Sequence, residues 1–160
     1  MHSMRRSTAK KIKEKRNNLP MHFVDSSVFV EVILKQPCYE QCLSFFNRAK
    51  YKYRLTTSTV VLGEVIKTLS SADEKIESEG LVWIKTALRS NRVAIFATSY
   101  ASLSNISAVR DSDSFIASAD ALNFSIAVTE SCNAFITLDS DFTKRLETDF
   151  RINIRKPQDT

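Results

Sequence analysis

Between Asp111 and Thr143 the chain runs for 33 residues without one Lys, Arg or His, yet it carries six carboxylates there: Asp111, Asp113, Asp120, Glu130, Asp139 and Asp141. The stretch is otherwise strongly apolar, so most of it must be core. A carboxylate carried into such surroundings is costly unless something neutralises it. Asp120 poses the problem most sharply. On a helix its neighbours one turn away are Ile116 and Phe124, with Ala127 just beyond. The charge can be removed by protonation, by a cation from elsewhere in the chain, or by a bound metal ion. One isolated buried Asp is ordinarily a structural hydrogen-bonding residue. Several converging ones are not.

The hydrophobic pattern says where these acids fall. "HFVD" (22–25) reads as a short strand ending on a carboxylate, and "SVFVEVILK" as a helix capped by Ser26 or Ser27 and broken at Pro37. "CYEQCLSFFNRAK" is a second helix and "YRLTTS" (53–58) a strand. Ser58 or Thr59 then caps "VVLGEVIKTL", whose apolar stripe is Leu62, Val65, Ile66 and Leu69. A helix softened at Gly80 follows over 74–90, then a buried-type strand over 92–98. Helices are expected near 99–109 and 114–131, a fourth strand at "NAFITL", a short helix at "SDFTKRLE" and a fifth strand at "FRINIR". Strands alternate with helices throughout, which predicts an α/β single domain built on a parallel five-stranded sheet flanked by helices. In such sheets ligands sit beyond the carboxyl ends of strands, where the winding reverses. Asp25 and Asp139 each stand just after an apolar strand, at that kind of position.

Asp25, Asp120, Asp139 and Asp141 are thereby expected around one crevice, where like charges cannot all ionise without a partner. Oxygen ligands without His or Cys select a hard divalent cation, Mg²⁺ or Mn²⁺. Glu64 lies opposite its helix's apolar stripe, where a solvated glutamate is the default. The preceding strand would bring that helix's first turns to the same sheet edge.

Composition closes other routes. The only glycines are Gly63 and Gly80, so neither a P-loop nor a dinucleotide-binding fingerprint can be written. With His22 as the sole candidate base of the body, a Ser/His/Asp triad is unavailable. "DSDSFI" (111–116) fails as an EF-hand loop because Phe115 and Ile116 occupy the fifth-ligand and glycine positions. "FITLDSDFT" (135–143) has the look of the nucleophile loop of the haloacid-dehalogenase phosphatases. That loop opens its domain, however, and only 17 residues follow Thr143 here. Three cysteines argue against a disulfide framework and fit a reducing cytoplasm. No apolar run approaches the ~20 residues that span a bilayer.

The net charge of +5 is local. Residues 1–20 hold seven Lys/Arg against Glu14 alone, which leaves the rest of the chain with 16 Lys/Arg against 17 Asp/Glu. This basic N-terminal arm reads either as a solvated, flexible extension or as a grip on a phosphate backbone, with a transit peptide as a third reading. Met21 stands as an alternative start.

The ordered set "FVDSSVFV", "TTSTVVLGEV", "SADALNFSIAV" and "FITLDSDF" resembles the PIN-domain nucleases, the family that includes VapC-type toxins. The resemblance covers residues 22–154 and implies a PIN-like nuclease domain over 21–156. Carried over by position, Asp25, Glu64, Asp120 and Asp139 match the family's acidic quartet and Asp141 an accessory acid. Ser27 matches the polar residue two after the first Asp, and Thr137 the hydroxyl that steadies the loop. Ser27 stands where Asn is common, and the Arg-Pro-Gly-like lead before the third acid is missing. The resemblance implies a cytoplasmic Mg²⁺- or Mn²⁺-dependent endoribonuclease, with Asp25, Asp120, Asp139 and Asp141 as metal ligands and RNA cut to leave 5′-phosphates. It also implies a homodimer and a small antitoxin protein as partners. Two rival readings remain: a non-catalytic PIN-like module that binds RNA or protein, and a DNA-directed nuclease.

Overall fold

The structure is a computed structural model and describes residues 18–49 and 51–160. Except for residues 18–20, the basic arm lies outside them. Five strands, β1 (Met21–Val24), β2 (Arg54–Ser58), β3 (Ala94–Phe96), β4 (Ala134–Ile136) and β5 (Asn153–Arg155), form one sheet in the order β3-β2-β1-β4-β5. All four pairings are parallel. The helices between them are α1 (Ser26–Ile33), α2 (Tyr39–Arg48), α3 (Thr59–Leu69), α4 (Glu74–Asn91), α5 (Tyr100–Ser112), α6 (Ser118–Thr129) and α7 (Lys144–Phe150). The expected α/β architecture is the one observed.

Strand alternation puts helices on both faces. His22 and Phe23 point to opposite sides of β1. His22 stacks on Tyr53, which stacks on Phe45 of α2. Phe23 stacks on Phe135 of β4, which meets Phe124 of α6 edge-on. Phe29 of α1, Phe46 of α2 and Trp83 of α4 form a second aromatic cluster. Fully burying a ring such as Phe23 or Phe135 contributes roughly 1.5–3 kcal/mol, which fastens the helices to the central strands β1 and β4.

Several local expectations are corrected. Gly80 does not soften α4. It is buried there, and a Cβ would lie 2.7 Å from Ile33 Cγ2 and 2.9 Å from Leu69 Cδ1, so the glycine allows α4 to approach its neighbours closely. Strand β3 is an edge strand with Ile95 46% exposed, because an apolar run reads the same at the edge of a sheet as at its centre. The buried stripe of α3 is Val61, Val65 and Leu69, and Ile66 faces solvent. Helix α5 continues to Ser112, and α6 begins only at Ser118. In the intervening loop Asp113 Oδ1 accepts the Phe115 amide at 3.1 Å, a side-chain turn that competes with helix. Helix α7 starts late for the same reason, since Asp139 Oδ1 accepts the Asp141 amide at 3.0 Å. Scarce glycine also leaves its mark: Lys35, Arg92, Ser131 and Arg151, each at or just past a helix end, take the left-handed conformation that glycine usually fills.

Candidate functional site

The winding reverses between β1 and β4, so the connections that follow their carboxyl ends diverge, the kind of place where a crevice forms. Asp25 follows β1 directly. Its amide donates to Ile136 O at 3.0 Å, and its side chain, in the N-cap position of α1, makes no capping bond. Instead Oδ2 accepts the hydroxyls of Ser27 at 2.8 Å and Thr137 at 2.9 Å. Asp25 is 3% exposed, yet its Oδ1 has no hydrogen-bond partner among the described residues. Burial raises its pKa against the pull of those two hydroxyls and of the Ser26 and Ser27 backbone amides. The same hydroxyls stitch the β1–α1 corner to the loop after β4. Ser27 Oγ accepts the Leu138 amide at 3.1 Å, and Thr137 Oγ1 accepts the Asp139 amide at 3.0 Å.

Glu64 is half-buried rather than solvated. Its Oε2 accepts from Asn123 Nδ2 at 3.2 Å, and its carboxylate also takes a hydrogen bond from the Ser26 side chain. Asn123 is wholly buried, and its Oδ1 accepts from Ser58 Oγ at 2.9 Å. Ser58 in turn caps α3 by accepting the Val61 amide at 3.0 Å. A fixed path therefore runs from the start of α3 through α6 to the Glu64 carboxylate. Burial, and then the charge of Asp25, raise the Glu64 pKa.

Asp120, in the first turn of α6, is half-buried, and its pKa is pushed up to about 6. Burial is the main cause, followed by the negative charges of Asp25, Asp139, Glu64 and Asp141. The acids singled out from the sequence are thus near enough to raise the proton affinity of Asp120, and Asp25 that of Glu64. Among the described residues, ion pairs join Lys75 to Glu79 and Arg145 to Asp149, and none reaches these acids. Asp139 and Asp141 lie on the exposed lip, tied by the turn that ends the β4 loop.

An all-oxygen set with an unpartnered buried carboxylate oxygen suits a hard divalent cation. The side chains share a field without closing on a point. Among the described residues no three or more His, Cys, Asp or Glu side chains are arranged to hold a metal ion.

Sequence reasoning missed Asn123 and Ser26. Asn123 had a signal: it lies about one turn after Asp120 on an otherwise apolar helix, and a polar side chain buried there must serve a partner. Ser26 had none beyond its capping propensity.

Comparison with known proteins agrees with the geometry. The PIN domain profile matches residues 22–146. No curated protein matches the sequence. VapBC2 from Rickettsia felis, solved bound to a DNA fragment from its promoter, superposes with a TM-score of 0.67 at 18% identity over 85% of this chain and 98% of that one. DNA-bound VapBC from Salmonella typhimurium gives 0.67 at 14% identity, over 87% and 99%. VapC20 of Mycobacterium tuberculosis, a Sarcin-Ricin loop cleaving toxin, gives 0.58 at 17% identity, over 75% and 91%. Among the described residues no helix is long and apolar enough to cross a membrane.

Proposed function

We propose that this chain, which belongs to the PIN-domain family, is a divalent-metal-dependent endoribonuclease and the toxin of a toxin–antitoxin pair. The observation that carries the reading is Asp25: a buried carboxylate whose Oδ1 has no hydrogen-bond partner among the described residues, at the sheet's switch point, facing acids that no ion pair among those residues reaches. The VapBC neighbours support an antitoxin partner, and the Sarcin-Ricin loop cleaving neighbour supports RNA as substrate.

Asp25, Asp120 and Asp139 would hold Mg²⁺ or Mn²⁺, with Asp141 in reserve at the lip. A bound ion supplies Lewis acidity at the phosphoryl oxygens and lowers the pKa of a coordinated water. The remaining work belongs to the chain. Ser27 and Thr137 fix Asp25 so that Oδ2 is saturated and Oδ1 stays free for the site. Asn123 and Ser26 hold Glu64, whose raised proton affinity suits a group that orients or accepts a proton from the attacking water.

Incubation of labelled single-stranded RNA and DNA with Mn²⁺, or with excess EDTA, tests the reading. RNA is expected to be cut to 5′-phosphate ends with Mn²⁺ only, and Asp120→Asn is expected to be inactive while folded. Cleavage that persists in EDTA or in Asp120→Asn rejects this mechanism. Cleavage of DNA alone reassigns the substrate.

A further inference from the structure

A centre made of carboxylates repels the polyanion it is meant to cut. The segment that builds most of it, residues 111–143, has no cation to offset that repulsion. Cations beside the centre must therefore come from another element, and β5 supplies them. The register sets Arg155 opposite Ile136, and the Thr137 amide donates to Arg155 O at 3.1 Å. Arg155 and the following Lys156 thus leave the sheet next to the Thr137–Asp139 loop. Both are exposed, and neither is within 4.0 Å of a carboxylate among the described residues. Among the described residues the Arg155 side chain makes one long hydrogen bond, from Nη1 to Asp159 O at 3.4 Å.

Together they wall a cleft of about 280 Å³ whose other side carries Thr137, Asp139 and Ser140. The cleft shares Thr137 and Asp139 with the metal-suited crevice and brings Arg155 and Lys156 to the same lining. A nucleic-acid strand that passes from the crevice into this cleft would have its reacting phosphate at the acids and a neighbouring phosphate at the cations. The Asp159 carboxylate lines the same cleft and opposes an anion there.

We propose that Arg155 and Lys156 form a subsite for a backbone phosphate flanking the scissile one, so that β5 seats the RNA strand against the acidic centre. This deepens the nuclease reading and rests on it. Phe142 and Ile154 also line the cleft, but Arg155 and Lys156 are its cations, and the charge of a backbone phosphate is what they would recognise.

The test uses the full chain carrying Asp120→Asn, in EDTA, with a 5′-labelled single-stranded oligonucleotide read by fluorescence anisotropy at several salt concentrations. Arg155→Ala with Lys156→Ala is expected to weaken RNA binding about tenfold and to lower the salt slope by about 1–2. The same loss is expected for single-stranded DNA, and Arg155→Lys should recover part of it. Asp159→Asn should tighten binding, and Lys75→Ala on α4 should change nothing. In the otherwise intact protein with Mn²⁺, the double variant should raise KM with kcat within about twofold. Unchanged affinity and salt slope in the double variant would overturn the subsite while leaving the nuclease reading intact. A loss confined to RNA would overturn its assignment to phosphate. If the double variant loses binding but the unaltered chain never cuts RNA, Arg155 and Lys156 bind backbone phosphate, while the nuclease reading falls and with it the place of that phosphate beside a scissile one.

Discussion

Asp25 at the start of α1 and Glu31 in its last turn are both buried, at 3% and 7% exposure, and they differ in what their oxygens touch. Glu31 Oε1 accepts the Cys38 amide, and the Glu31 carbonyl accepts the Gln36 amide at 3.1 Å, so this acid is consumed in closing the α1–α2 turn at Pro37. Asp25 keeps one oxygen bare and faces further acids. Two buried acids on one helix therefore have opposite meanings. Burial alone does not mark a site. What marks it is a carboxylate left unpaired where others gather without a cation.

The contrast can be broken by experiment, beginning with its largest consequence. Asp25→Asn should reduce RNA cleavage on the order of 10³-fold, the equivalent of several kcal/mol of transition-state stabilisation. It should leave the metal-free fold as stable as before or more so. Glu31→Ala should do the reverse. Cleavage per folded molecule should persist, while urea denaturation shows a loss of about 1–3 kcal/mol from the stranded Cys38 amide. Should Glu31→Ala abolish cleavage in folded protein, the division between the two acids fails.

Asn123→Ala probes the same division one step outward, since Asn123 touches Glu64 and not the substrate. A 10- to 100-fold fall in kcat, of about the size that orienting partners confer, with KM unchanged and the Glu64 ionisation displaced in the pH–rate profile, would mark a positioning role. A fall in stability alone would make it a core residue.

The electrostatic side of the comparison sets a pH dependence. The Asp120 pKa is near 3.8 when unfolded and about 6 when folded. Its contribution to stability is therefore fully present below about 4 and is lost as pH rises through about 6. In EDTA the melting temperature should fall between pH 5 and pH 7, and Asp120→Asn should flatten that slope. Metal should restore stability at the upper end of the range, where the acids are ionised and free to bind it. A melting temperature that rises with pH over this interval in metal-free protein would contradict the crowding of the acids.

The smallest effect lies away from the crevice. Arg92 ends α4 at φ 48°, a conformation that costs a side chain roughly 1–2 kcal/mol. Arg92→Gly should therefore stabilise by about 0.5–1 kcal/mol after glycine's own entropic cost, with activity untouched.

Much of this protein was legible in its sequence because the relevant signals are local. Period-two and period-3.6 patterns announced the alternation of strands and helices, and Ser58 was identifiable as a helix cap from its own neighbourhood. The positions of Asp25 and Asp139 after apolar strands were enough to place both at one sheet edge. The misreadings came where the deciding partner is distant. Ile66 looked like core until α3 was seated. Gly80 looked like a weak point until Ile33 and Leu69 closed on it. Glu64 looked solvated because Asn123, its partner, is 59 positions away.

By itself the sequence determined the inventory: a run of acids with no cation among them, attached to elements whose periodicity permits only a parallel α/β sheet. The tertiary structure alone decided which acid is satisfied and which is left bare. That choice depends on Ser27 and Thr137, 110 residues apart, meeting at one carboxylate oxygen, and on two cations reaching the lip by the register of β5. Hydrogen bonds and charge pairs act over a few ångströms in space, and separation along the chain carries no record of that distance until the sheet has formed.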